Sequence, residues 1–246
     1  MIKLDLPPKP IQLTTELQSR LTQEYKDTGK TVWKIDWLKT AVSDMSFGKC
    51  CFSEIRLCEE SKYMEIEHFH SKNRYPDEVM EWGNLMPSCK KCNGTKLEHD
   101  TLNEPIVNPF VDNPKDYLFF KNYRYYPKNK NEIGHRTIDV LGLNDHNHFV
   151  SPRFKIGNEI IERLHDFKEI IQHLEVAGKR IRFISRLKNL LELGNREEEY
   201  AALVSTTILS DENFNDIKEL LKLKGIWDDE FERLTTELEF CALLEE

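Results

Sequence analysis

The chain has 246 residues, 39% hydrophobic and 32% charged, with a formal net charge of −8. That composition describes a soluble protein with enough apolar residues for a sizeable core, in one larger domain or two small ones. No apolar run reaches the roughly 18–20 residues of a membrane span, the first residues open no signal peptide, and six cysteines form no dense secreted framework. A membrane role is thereby excluded and a reducing cytoplasm expected. The charge is uneven: residues 1–155 carry 23 Lys+Arg against 22 Asp+Glu, and residues 156–246 carry 12 against 21. An acidic surface repels phosphate backbones, so any nucleic-acid face belongs to the first 155 residues.

Taken in chain order, Pro7, Pro8 and Pro10 fix φ and remove backbone donors, so residues 5–12 are an extended arm expected to pack along the domain. Leu13, Leu17 and Leu21 recur at helical spacing and predict a helix over 14–25. Asp36 is the expected N-cap of a second helix through residue 44 that buries Trp37, Leu38 and Val42. Trp33 and Trp37 read as core.

The chemistry-bearing stretch follows. A strand over 64–67 leads into Glu67-His68, Asn84 comes sixteen positions after His68, and Asn93 nine further on closes Ser88-Cys89-Lys90-Lys91-Cys92-Asn93. Hydrolysing a phosphodiester needs an activated water, a cation at the phosphorane oxygens and a stabilised leaving oxygen. A histidine with a pKa near ~6.5 can take the water's proton at neutral pH. Carboxylate and amide oxygens suit Mg²⁺ or Mn²⁺, which acts as a Lewis acid. Singly, each residue is ordinary: a lone histidine is usually structural, and Asn93-Gly94 is itself a turn signal. Their order is what carries the argument.

In that order and spacing the residues resemble the His-Asn-His (HNH) nucleases, whose core is a β-hairpin followed by a helix around one divalent ion. The resemblance implies His68 as general base and Asn84 as the residue holding the His68 ring through a backbone loop contact. It implies Glu67 and Asn93 as ligands of Mg²⁺ or Mn²⁺. The last position is more often histidine in that superfamily, with asparagine a known variant, and Glu67 replaces the commoner aspartate. Neighbours on a strand point to opposite faces, so Glu67 and His68 converge only at a distortion or a strand end. His70 alternates with His68, and Lys96 follows Asn93 by one helical turn. His70 is read either as a contact to the scissile phosphate or, the preferred reading, as a residue that only flanks the site; Lys72, Arg74, Lys90 and Lys96 form a group of expected phosphate contacts. Trp82 is the expected anchor of the Asn84 loop.

Many relatives also carry an earlier Cys-x-x-Cys that joins the later one around a structural Zn²⁺. Here Cys50, Cys89 and Cys92 match, but Ser53 stands where the fourth cysteine would be. Cys51 or Cys58 could substitute only by folding back. The incomplete set argues against a zinc ion and for small buried hydrophobes.

Beyond the motif, prolines tie down residues 105–114. The alternating aromatics and cations of residues 117–128 then read as a strand or hairpin, serving either as core or as a base-stacking face. Residues 137–144 look like a short buried segment ending in a turn. Helical periodicity follows over 156–176, 179–193, 197–209, 211–223 and 228–244, with Ile181, Phe183, Ile184, Leu187, Leu190 and Leu191 as a stripe that is core or docking face. The expected fold class is α+β: a small ββα-metal HNH core between N-terminal helices and a mainly helical C-terminal region. The division is an N-terminal arm and helices (1–46), the HNH core with its aromatic and basic segment (47–152), and an acidic helical region as candidate docking surface (153–246).

Glu67-His68-Phe69, the run from Pro76 through Glu81-Trp82-Gly83-Asn84-Leu85 to Asn93, and Ile106-Val107-Asn108-Pro109 narrow the resemblance to the PtuB-type nucleases of Septu and retron-linked anti-phage systems. That resemblance implies a toxic endonuclease; a one-metal site demands neither sugar, so the substrate is open between DNA, the preferred reading, and RNA, including tRNA. The resemblance also implies control by a PtuA-like ATPase of the ABC/RecN kind, and in retron systems by a reverse transcriptase with its RNA–DNA product. The alternative is a catalytically inactive nucleic-acid-binding or adaptor subunit of the same complex.

Overall fold

Thr14 starts the first helix because its hydroxyl accepts the Leu17 amide at 3.2 Å, satisfying a donor the helix would otherwise leave orphaned. In the computed structural model, which describes residues 1–57, 63–173 and 177–245, α1 (Thr15–Thr28) ends at Gly29 with φ 68°, the left-handed stop that glycine favours. Helix α2 (Asp36–Asp44) buries Leu38 and Val42 and leaves Trp37 half-buried. Asp36 is its first residue rather than its cap: Ile35 takes that place with no side-chain bond, and the carboxylate instead sits at the positive helix end. The proline arm packs along the domain. Leu4 donates to the Pro109 carbonyl at 2.9 Å, and the Trp82 indole donates to Pro7 at 2.8 Å.

Strand β1 (Met64–His68) pairs antiparallel with β2 (Leu85–Cys89), with Glu65 opposite Ser88, Glu67 opposite Met86 and His68 opposite Leu85. Helix α3 (Lys90–Lys96) begins at once after β2, and the Cys89 sulfur accepts the Cys92 amide at its start. Asn93 therefore lies within a helix, and Asn93-Gly94 makes no turn. A second hairpin, β3 (Leu118–Lys121) and β4 (Arg124–Pro127), closes through Asn122 and Tyr123 at φ 50° and 64°. Two positive φ values match the twist of a tight hairpin. Phe119, Phe120 and Tyr125 are buried, so half of the six aromatics are core; Tyr117 and Tyr123 are half-buried, and Tyr126 is exposed and stacked on Phe119. Helix α4 (Glu132–Val140) takes in the first half of the segment expected at 137–144, and the turn follows at Gly142.

The C-terminal part consists of α5 (Ser151–Ile170), α6 (Ala177–Glu192), α7 (Ala201–Ser210), α8 (Glu212–Leu223) and α9 (Asp229–Cys241). Phe183, Leu187, Leu190 and Leu191 of the α6 stripe are buried in the core these helices share, while Ile181 is 67% exposed. A first core gathers residues from Met1 to Phe149 together with Tyr200 to Leu203, Cys241 and Leu243, and the second is built from helical residues between Ile160 and Leu238. Helix α7 serves both, giving Ala201, Ala202 and Leu203 to the first and Val204 and Ile208 to the second, which explains a helix with no polar face. The content of helices with two small antiparallel sheets is α+β. Among the described residues, no helix is long and apolar enough to cross a membrane.

Helix α7 starts at 201 rather than 197 because Glu54 fixes its end. Tyr200, at φ 55°, donates its amide to the Glu54 carbonyl, and the Glu54 carboxylate accepts the Ala202 amide at 3.0 Å. Burial pushes the Glu54 carboxyl up, but the Met1 amine and Lys49 beside it outweigh that and hold it below the ordinary glutamate value. Removing Glu54 strands buried positive charge, so Glu54→Ala is expected to lower stability to urea at pH 7 by about 3 kcal/mol. A carboxyl with a lowered folded pKa stabilises above its unfolded pKa and loses that contribution as pH falls through the folded value. The gap between wild type and Glu54→Ala should therefore narrow on acidification; a gap independent of pH would contradict the charge argument.

Candidate active site

Glu67, His68 and Asn93 all line one cleft of about 540 Å³, together with Trp33, Lys34, Asp36, Lys39, Lys72 and the rest of β1. His68 is the last residue of β1: the chain leaves the strand at Phe69, whose amide bonds the Asn84 carbonyl at 2.9 Å. Every residue of β1 lines the cleft, so Glu67 and His68 both border it although neighbours on a strand point to opposite faces. Both residues are buried, at 5% and 3% exposure.

His68 Nε2 lies 3.0 Å from the Val79 carbonyl. A carbonyl only accepts, so Nε2 carries the proton and Nδ1 is left as the basic nitrogen. Trp33 meets the ring edge-on at 4.5 Å. Burial lowers the imidazole pKa to about 4, against the raising effect of the Val79 bond, so the ring is neutral at neutral pH. Glu67 moves the other way. Burial pushes its carboxyl up and Lys96 opposes the shift. The Lys96 ammonium donates to Glu67 Oε1 at 2.6 Å and to the His68 carbonyl at 2.8 Å.

Several expected roles meet a different geometry. Asn84 does not touch the His68 ring: its amide accepts from the His70 amide at 2.7 Å and donates to the His70 and Glu78 carbonyls. It pins the loop two residues beyond, while Val79 holds the ring. His70 does not share a face with His68, because the strand has ended; its Nδ1 bonds Glu78 at 2.6 Å, away from the cleft. Lys96 is fully buried and engaged inside the protein, which removes it from the expected phosphate contacts. Arg74 bonds the Glu98 carbonyl, and Lys90 is exposed outside the cleft. Lys72 lines the cleft, 5.7 Å from the Trp33 ring. Trp82, buried and tied to Pro7, anchors the Asn84 loop.

Sequence reasoning passed over Lys34, Lys39 and Glu65, all on the cleft. Glu65 was findable, since it precedes Glu67 by two and shares its strand face. The Val79 carbonyl gave no signal, because any residue supplies one.

Cys50, Cys89 and Cys92 cluster with their sulfurs within 4.8 Å of one another, all buried. The Ser53 hydroxyl lies 3.6 Å from the Cys89 sulfur, and the Ser53 amide points at Cys50 at 3.5 Å. Burial raises the Cys50 thiol, but hydrogen bonds from Cys89, Cys92 and Ser53 outweigh it and bring it well below its usual value. Three soft donors at this spacing, one of them favouring thiolate, fit a thiophilic metal ion. Cys51 is buried and outside the cluster, and Cys58 lies outside the described residues.

No family model matches the sequence. Over 250 residues it is 40% identical to the Septu protein PtuB of Bacillus thuringiensis, covering 100% of this chain and 96% of that protein. It is 23% identical over 206 residues to the Septu protein PtuB of Bacillus mycoides strain KBAB4, covering 68% of this chain and 69% of that protein. At the first of these identities the match runs through the cleft, the cysteine cluster and the C-terminal helices alike. The chain belongs to the Septu PtuB family.

Proposed function

We propose that the chain is a metal-dependent HNH-type endonuclease that hydrolyses phosphodiester bonds, DNA being the favoured substrate and RNA, including tRNA, the alternative. The observation that carries the reading is the convergence of Glu67, His68 and Asn93 on one cleft. His68, neutral and with Nδ1 basic, is the general base. Glu67 and Asn93 would hold Mg²⁺ or Mn²⁺ through oxygen, the donor type these ions prefer; bound there, the ion supplies Lewis-acid stabilisation of the phosphate. Lys34, Lys39 and Lys72 on the cleft rim have the charge to meet a phosphate backbone.

Two relatives bear the name Septu protein PtuB. On that kinship, we assign the chain to an anti-phage defence system, acting with a PtuA partner. The resemblance adds that this partner is an ABC/RecN-type ATPase licensing cleavage, and that a retron reverse transcriptase joins the control in some systems. One observation favours the inactive-subunit alternative: Glu67 already has a counter-ion in Lys96. Cleavage of duplex DNA, single-stranded DNA and tRNA with Mg²⁺ or Mn²⁺, with and without the partner, decides between them. His68→Ala is expected to lose about 10²–10⁴-fold in rate while still binding PtuA. No cleavage by well-folded wild type under any of these conditions would leave the binding-subunit reading.

We further infer that the Cys50–Cys89–Cys92 cluster holds one Zn²⁺, with Ser53 or a water as fourth donor. Zinc should then appear at one ion per chain by elemental analysis. Stripping it with a chelator should lower the thermal midpoint by at least about 3 °C, the equivalent of about 1 kcal/mol for a chain of this size. An unchanged midpoint and no zinc would make the cysteines simple core residues.

A further inference from the structure

Helix α3 and strand β1 are joined by two rungs. Lys96 meets Glu67 at 2.6 Å, and one turn earlier Asn93 Nδ2 donates to Glu65 Oε2, also at 2.6 Å. The spacing is geometric: residues two apart on a strand share a face, and residues three apart on a helix are neighbours. We propose that Glu65 is a positioning residue that fixes the orientation of the Asn93 amide, so that Asn93 presents oxygen rather than nitrogen to a metal ion. The inference rests on the nuclease reading above.

An asparagine side chain ends in an oxygen and an NH₂ of nearly equal size, and either can face a given direction. For a metal ligand the difference is decisive, because a hard cation binds the carbonyl oxygen and is repelled by the amide hydrogens. Asparagine thus needs a device that selects one orientation, which a carboxylate in the same place would not. Glu65 is that device. An ionised carboxylate only accepts, so it takes the NH₂ end, and a charge-assisted bond of this length is a strong one. Among the described residues no other hydrogen bond reaches the Asn93 side chain, leaving Oδ1 as its unengaged acceptor. Asn93 and Glu65 both line the cleft with Glu67, so the selected oxygen belongs to a residue that borders the cleft the ion would enter. The sequence pattern is self-consistent: a chain with asparagine at position 93 carries, two residues before Glu67, a group able to orient it.

The test is isothermal titration of the full-length protein with Mn²⁺ alone, alongside cleavage. Glu65→Ala frees the amide to turn and should weaken Mn²⁺ binding by about 10–100-fold, the range for partners that orient a ligand. Glu65→Gln keeps an acceptor for the Asn93 NH₂ and should stay within about threefold of wild type, the small end of hydrogen-bond contributions. The distinguishing variant is the double substitution Glu65→Ala with Asn93→Asp. A carboxylate has no wrong orientation, so Mn²⁺ binding should return to near the wild-type value, which repair of a merely structural defect would not achieve. If Glu65→Gln binds as poorly as Glu65→Ala, Glu65 acts by charge or as a ligand and the proposal fails. It fails too if Glu65→Ala binds as wild type, or if the double variant stays weak. If Glu67→Ala and Asn93→Ala leave Mn²⁺ binding unchanged, or wild type binds none, the underlying metal-site reading falls as well.

Discussion

One buried ammonium holds the cleft in shape. Lys96 is fully enclosed, and taking a charge out of water costs several kcal/mol unless its donors are used. Its bonds to the Glu67 carboxylate and to the His68 carbonyl tie α3 to the last two residues of β1. The strand end, which carries Glu67 and His68, is thus fixed at its backbone as well as at a side chain. Removing either partner would leave an uncompensated charge in an apolar surround, so the pair specifies geometry more than it adds stability.

The same logic extends outward through the cysteine loop. Residues 49–56 carry Cys50 and Ser53 of the cluster, and the same loop reaches the C-terminal helices. Lys49 donates to the Arg196 and Glu198 carbonyls, Glu54 caps α7, and Arg56 pairs with Glu198 at 3.2 Å. Cys89 and Cys92 belong to the β2–α3 junction of the cleft. A metal ion at the cysteines would therefore brace a continuous path of packed and hydrogen-bonded groups from α3 to α7. Such a path is a route for mechanical coupling only if one of its elements has two arrangements.

How much was legible in the sequence depended on whether the signal was local. Helices α5 to α9 were readable in existence and rough extent, because their leucines repeat at three and four and Gly225 punctuates them at φ 62°. Their ends were not, since the start of α7 is set by Glu54, almost 150 residues upstream. The β1–β2–α3 order followed from the motif, and so did the grouping of Glu67, His68 and Asn93. What failed was alternation carried past a strand end: His70 was placed by a period of two that stops at His68. Lys96 was placed one helical turn from Asn93, and both do bond β1, but its charge was taken for a phosphate contact, whereas its four-carbon stem reaches an internal carboxylate instead. Asn84 was given backbone contacts in this loop, which it makes to Phe69, His70 and Glu78; the atom that meets the His68 ring, the Val79 carbonyl, was not foreseen, because backbone carbonyls leave no mark in a sequence.

The charges around the cleft then divide in a way that suits the proposed chemistry. Glu67 and Lys96 nearly cancel inside the protein, so the residual negative charge of the inner wall rests on Glu65, joined by the neutral oxygen of Asn93. Lys34 and Lys39 are exposed and Lys72 is half-buried. In water such lysines act over roughly one Debye length, about 8–10 Å at ordinary salt. They can gather a phosphate backbone at the mouth without neutralising a centre that has low-dielectric walls. On the proposed function, a small cation would meet the inner wall and an anionic chain the rim, and the neutral His68 would disturb neither. An arrangement with Lys96 facing the solvent would merge the two zones and leave Glu67 and Glu65 to repel the anionic substrate of the proposed reaction.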